Sequence, residues 1–101
     1  MATKNTRDEN MNYLYEAILA LRDPEECAKF FEDLCTVAEL QEMSRRLLAA
    51  RMLAANTVYT EIAEKTGLST ATISRVNRCL KYGDGGYQLA LSRMKKNEKN
   101  Q

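Results

Sequence analysis

Apolar residues recur at intervals of three and four along most of the chain, and no stretch sustains the strict alternation of a strand, so the pattern predicts an all-α protein. Tyr13, Leu14, Ala17, Ile18 and Leu21 fall on one face of a first helix. It stops near Arg22, because the residue preceding Pro24 is steered out of the α region. Asp23-Pro24-Glu25-Glu26 starts the next helix: Asp23 caps it, Pro24 suits its first position and Glu26 occupies the capping-box site. Cys27, Phe30, Phe31 and Leu34 then form its buried stripe. Thr36-Val37-Ala38-Glu39 is a second capping box and opens the longest helix, which runs to about Ala55. From Leu47 to Ala55 the only charge is Arg51, so this helix is apolar almost all round and needs cover on most sides. A small domain buries only about 60 to 65 % of its unfolded surface, and a second subunit would supply the missing cover. After Tyr82 the run Gly83-Asp84-Gly85-Gly86 breaks the chain. Tyr87, Leu89, Ala90, Leu91 and Met94 begin a last amphipathic helix that loosens over residues 95–101, and residues 1–9 are expected to be loose as well.

The window from Tyr59 to Arg78 fits a helix-turn-helix position by position. Counted from Tyr59, the small Ala63 is fifth, where two helices approach, and Gly67 is ninth, where the turn wants a left-handed residue. Ile62, Thr66, Leu68, Ile73 and Val76 take the fourth, eighth, tenth, fifteenth and eighteenth places, the inward positions of such a hairpin, with Thr66 the weakest of them. The whole hairpin extends over about residues 59–82. On a wheel of 100° per residue from Ser69, Ile73, Val76 and Leu80 share the arc that faces the core. Thr70, Ala71, Ser74, Arg78 and Lys81 take the opposite arc, small and polar first, basic later. Small residues let a helix seat deeply in the major groove, where Thr and Ala meet thymine methyls and hydroxyls reach base edges. Arg78 and Lys81 suit phosphate, and the free N–H groups at the helix start, by Ser69, add a further phosphate site. Thr72, Arg75, Cys79 and Tyr82 form a third arc, on which Arg75 suits a phosphate, a carboxylate or a ligand pocket against the long helix.

Composition narrows this picture. The chain has 101 residues, one domain's worth, with no His, no Trp, one Pro and four Gly. The commonest general base and zinc ligand are therefore absent, which counts against most hydrolytic and metal chemistry, and no convergent cluster of other acids and bases suggests an enzyme. Cys27, Cys35 and Cys79 are odd in number and lack CxxC spacing, which suits reduced, packed thiols in the cytoplasm rather than a disulfide framework or a metal site. No apolar stretch approaches the roughly 20 residues of a bilayer span, and residues 1–12 lack the apolar core of a secretory signal. The net charge of +1 conceals a division. Residues 1–44 carry four basic and ten acidic side chains, a net of −6, whereas residues 45–101 carry eleven and four, a net of +7. A basic half attracts polyanions through counterion release.

Leu34-Cys35-Thr36, Glu39-Leu40, Arg45-Arg46, Glu61-Ile62-Ala63 and the run from Gly67 through Arg75 together resemble the Trp repressor superfamily, and its YerC/YecD branch most closely. In that branch the window from Thr72 to Gly83 looks like a signature, and the likeness spans roughly residues 13–94. The resemblance implies a Trp-repressor-like helical bundle, an intertwined homodimer that places two recognition helices in successive major grooves, and a transcriptional regulator. It also places Thr72 and Arg75 where the repressor has a Thr and an Arg beside its bound tryptophan. The second ligand-clamping Arg matches Arg46 if Thr36 anchors the alignment, or Arg45 if Gly67 does. Val76 stands where the repressor has Gly and Cys79 where it has Ser, so the indole pocket is altered and partly filled. Thr60 and Ala63 stand where it carries Arg and Lys, so two cationic contacts are missing.

The expectation is thus a single-domain, cytoplasmic, dimeric regulator, a repressor that binds operator DNA and has no fixed cofactor. Thr60, Ser69, Thr70, Ala71, Ser74, Arg78 and Lys81 form its DNA face. Arg45, Arg46, Thr72, Arg75 and Cys79 are the candidate pocket for tryptophan or another small corepressor. The alternative is a protein-interaction module that docks a partner through its acidic first half and keeps the hairpin as scaffold.

Overall fold

In the computed structural model, which describes residues 8–99, α1 spans Glu9–Leu19, α2 Pro24–Leu34, α3 Val37–Ala54, α4 Tyr59–Thr66, α5 Thr70–Tyr82 and α6 Gly86–Lys99. No strand occurs among the described residues, as the periodicity requires. The chain divides into two compact units: the first ends at Leu40, the second begins at Gln41, and α3 runs through the boundary.

Local hydrogen bonding explains where these helices begin and end. The first four N–H groups of a helix have no intrahelical acceptor, and short polar side chains serve in their place. Asp8 caps α1 by accepting from Met11 N–H at 2.9 Å. Residues 8 and 9, assigned to a loose N-terminus from sequence, are therefore the cap and first turn of a helix. Asp23 caps α2 through Glu26 N–H at 2.9 Å, while the Glu26 carboxylate accepts from Arg22 N–H, one residue beyond the usual box partner. At α3 the box is reciprocal: Thr36 Oγ1 accepts from Glu39 N–H at 3.1 Å, and Glu39 Oε1 accepts from Thr36 N–H at 2.8 Å. Asn56, at φ 63°, then ends α3. Its N–H reaches Leu53 O and Thr57 N–H reaches Met52 O, the paired bonds of a Schellman motif.

In the first unit no residue of α1 or α2 is fully buried. Leu14, Ala17, Ile18 and Leu21 are half-buried, as are Cys27, Phe30 and Phe31, with the two Phe rings edge to face at 5.4 Å. Tyr13 and Leu34, assigned to the buried stripes from sequence, are 75 % and 52 % exposed. Two eleven-residue helices present too little facing surface to close a core around every apolar position. The first helix also ends at Leu19, earlier than the expected stop at Arg22.

The second unit contains the buried core of the described residues. Ala49 and Ala50 of α3 meet Ile62 of α4, Leu68, and Ile73 and Val76 of α5, while Met52, Leu53, Tyr59, Ala63, Tyr87 and Leu91 pack around them. Leu80 is buried on the same side of α5. The long helix is not covered on most sides: Met43, Leu47 and Leu48 stay exposed, Leu47 at 37 % and Leu48 at 39 %. Residues 95–99, expected to be loose, continue α6 as helix, whereas 1–7 and 100–101 lie outside the described residues. No helix among the described residues is long and apolar enough to cross a membrane.

Candidate nucleic-acid interface and adjoining cleft

α4 and α5 form the hairpin that the spacing predicts, and its turn is built from three consecutive residues. Thr66 is almost fully buried, yet its hydroxyl is satisfied twice, donating to Ile62 O at 2.7 Å and accepting from Leu68 N–H at 3.1 Å. A polar residue at this inward place therefore fastens the turn instead of weakening it. Gly67 follows at φ 75°, the left-handed conformation a glycine adopts at least cost, and its N–H closes α4 on Ala63 O at 2.8 Å. Leu68 then buries itself in the core.

α5 starts on a dedicated cap. Ser69 Oγ accepts from Thr72 N–H and donates to Thr72 Oγ1, both at 3.1 Å. This hydroxyl, expected on the DNA face, is thus engaged in shaping the helix. Ile73, Val76 and Leu80 are buried on one side, and Thr70, Ala71, Ser74, Arg78 and Lys81 are all exposed on the other. Thr60, in the first turn of α4, is exposed too. Tyr82, at the end of α5, is 83 % exposed.

The third arc of α5 borders a cleft of about 180 Å³ lined by Glu42, Arg46, Thr72, Arg75, Val76, Cys79 and Tyr87. Of the five expected pocket residues, four meet here, and Arg45 is exposed and outside the lining. The spacing left Arg45 and Arg46 open; the lining residue is Arg46. Its Nε lies 4.0 Å from Glu42 Oε2, at the limit of ion pairing and too far for a hydrogen bond, and this buried atom has no partner among the described residues. Two guanidinium groups therefore share the cleft with one carboxylate, an excess of positive charge that favours an anionic group. Val76, 2 % exposed, forms part of the wall. Cys79, expected to be a packed thiol, is instead exposed at the rim, because α5 turns it away from the core side.

Two lining residues escaped the sequence reading. Glu42 lies one helical turn before Arg46, so an i,i+4 search upstream of each candidate Arg would have found it. Tyr87 follows the Gly-rich break, where periodicity loses its phase and no spacing carries α5 onto α6.

The sequence model for the family described as Trp repressor protein matches residues 9–95. The chain is 48 % identical over 98 residues to the uncharacterized protein YerC of Bacillus subtilis, spanning 97 % of this chain and 94 % of that one. Among solved structures it is similar to a TrpR-like protein from Eubacterium eligens, with a TM-score of 0.86 and 46 % identity over 91 % of this chain and 95 % of the other. A crystal structure from Staphylococcus aureus gives the same TM-score at 44 % identity, covering 94 % and 95 %.

Proposed function

The chain belongs to the Trp repressor family, and from that premise we propose that it is a non-enzymatic, cytoplasmic, homodimeric regulator that binds operator DNA and represses transcription. The observation that carries this reading is the two-sided character of α5. Ile73, Val76 and Leu80 fix it to the core, while Thr70, Ala71, Ser74, Arg78 and Lys81 stand free on the opposite side. In the major groove Thr70, Ala71 and Ser74 read base edges and thymine methyls, and Arg78 and Lys81 hold phosphates. Thr60 of α4 and the N–H groups beside Ser69 meet the flanking backbone.

The cleft is the effector site in this proposal. Arg46 and Arg75 suit a carboxylate, and Thr72 offers a hydroxyl proton, its oxygen already accepting from Ser69. Its volume of about 180 Å³ is below the roughly 300 to 1,000 Å³ common for small-molecule pockets, and the Val76 wall narrows it. The reading this supports is DNA binding without tryptophan.

Ser74→Glu is the test. The substitution places a carboxylate in the groove at an exposed position, so the variant stays folded and loses about a hundredfold or more in specific affinity. A folded variant that shifted the operator like the parent in a gel would remove α5 from the groove. The operator itself comes from enriching random duplexes on the purified protein, with and without tryptophan. Enrichment that appeared only with tryptophan would overturn the effector reading.

A further inference from the structure

The last carbonyls of a helix lack intrahelical donors and need partners from elsewhere. At the end of α5, Cys79 O receives Gly83 N–H at 2.9 Å. Leu80 O receives the side-chain amide of Gln88, from the first turn of α6, at 2.7 Å in a part-buried bond. Among the described residues this is the one side-chain hydrogen bond that joins two helices. α6 is a firm anchor for it, since Tyr87 and Leu91 on either side of Gln88 pack against the core. Gly83 makes the same end tight: a Cβ there would stand 2.5 Å from Cys79 O. The last turn of α5 is thus held by its neighbours more closely than a free helix end; Lys81 and the exposed Tyr82 belong to it, and Arg78 lies just before it.

We propose that Gln88 is a positioning residue for DNA binding: by holding Leu80 O it keeps the last turn of α5 wound, so that Lys81 in that turn meets the phosphate backbone alongside Arg78 just before it. The inference rests on the assignment of α5 to the major groove made above. Base reading belongs to Thr70, Ala71 and Ser74, which lie more than a turn away near the capped start. Loss of the Gln88 bond therefore weakens the phosphate contacts and leaves the base preference intact. A frayed last turn holds Lys81 on phosphate only part of the time, and fewer counterions are released on binding.

Gln88→Met tests this, because Met keeps the length and helix propensity of Gln but cannot donate. Gln88→Glu serves as a second variant, with an acceptor where the donor stood. The readouts are duplex affinity across a salt series, the enriched sequence, and amide exchange of Gly83 in the DNA-free protein. The expected results for Gln88→Met are faster Gly83 exchange, a loss of about three- to tenfold in affinity, a salt slope shallower by about one and an unchanged motif. A parent that binds DNA, with variants that keep its salt slope and its Gly83 exchange, overturns the role of Gln88 alone. A motif that changes in the variants also overturns it, since the effect then reaches the base-reading turns. A parent that enriches no duplex overturns the DNA reading and this inference with it, whatever Gly83 exchange shows.

Discussion

Gly67 and Gly83 flank α5, and they are glycines for different reasons. At Gly67 a Cβ would meet nothing within 4 Å, so the requirement is conformational, set by φ 75°. At Gly83 φ is an ordinary −85°, and the requirement is steric, because a Cβ would strike the Cys79 carbonyl. The two sites therefore answer differently to the same replacements. Ala at Gly67 costs about 1 kcal/mol, and Asn recovers much of it, since Asn tolerates the left-handed region and already occupies it at Asn56 in this chain. At Gly83, Ala costs about 1 to 3 kcal/mol, and Asn recovers nothing, because any Cβ clashes. Urea unfolding of the four variants checks this, and a Gly83→Asn protein more stable than Gly83→Ala would contradict it.

The N-cap of α4 is Val58, which offers no side-chain acceptor, whereas Asp8, Asp23, Thr36 and Ser69 cap α1, α2, α3 and α5. Val58 is exposed, with the extended backbone of a normal cap residue. Val58→Ser should therefore stabilise the protein by about 0.5 to 1 kcal/mol, read as a higher urea midpoint with an unchanged slope. The starts of α2 and α3 were legible in the sequence, marked by Asp23 and Thr36, because a cap acts within four residues. The turn at Gly67 and the buried arc of Ile73, Val76 and Leu80 were legible for the same reason, as both are consequences of local geometry. Other features depend on contacts across the chain. Neither Tyr87 in the cleft nor the reach of Gln88 to Leu80 follows from a period of 3.6, and the choice of Arg46 over Arg45 needs the rotation of α3 against α5. The end of α6 carries no apolar signal, because lysines and asparagine dominate it, yet this polar segment is helical to Lys99.

At the scale of the whole molecule, a sizeable apolar surface lies open among the described residues. Tyr13 and Leu19 are 75 % and 84 % exposed in a unit with no fully buried helical residue, and Met43, Leu47 and Leu48 are exposed on α3. Single exposed apolar residues are ordinary on a protein surface, but the homodimer proposed above gives this group a cover. A homodimer that folds as it associates has a stability inseparable from its concentration. The thermal midpoint should rise steadily across a hundredfold range of protein concentration, and Leu47→Asp should lower it and shift sedimentation towards monomer. A midpoint independent of concentration would show that each chain folds alone.

Tyr87 gives the cleft an optical property. The protein has five tyrosines and no tryptophan, so its emission comes from phenol rings alone. A carboxylate held by Arg46 and Arg75 beside Tyr87 would alter the surroundings of that phenol and with them its share of the tyrosine emission. The lining residue the sequence did not reveal thus makes the cleft report its own occupancy, with no label attached.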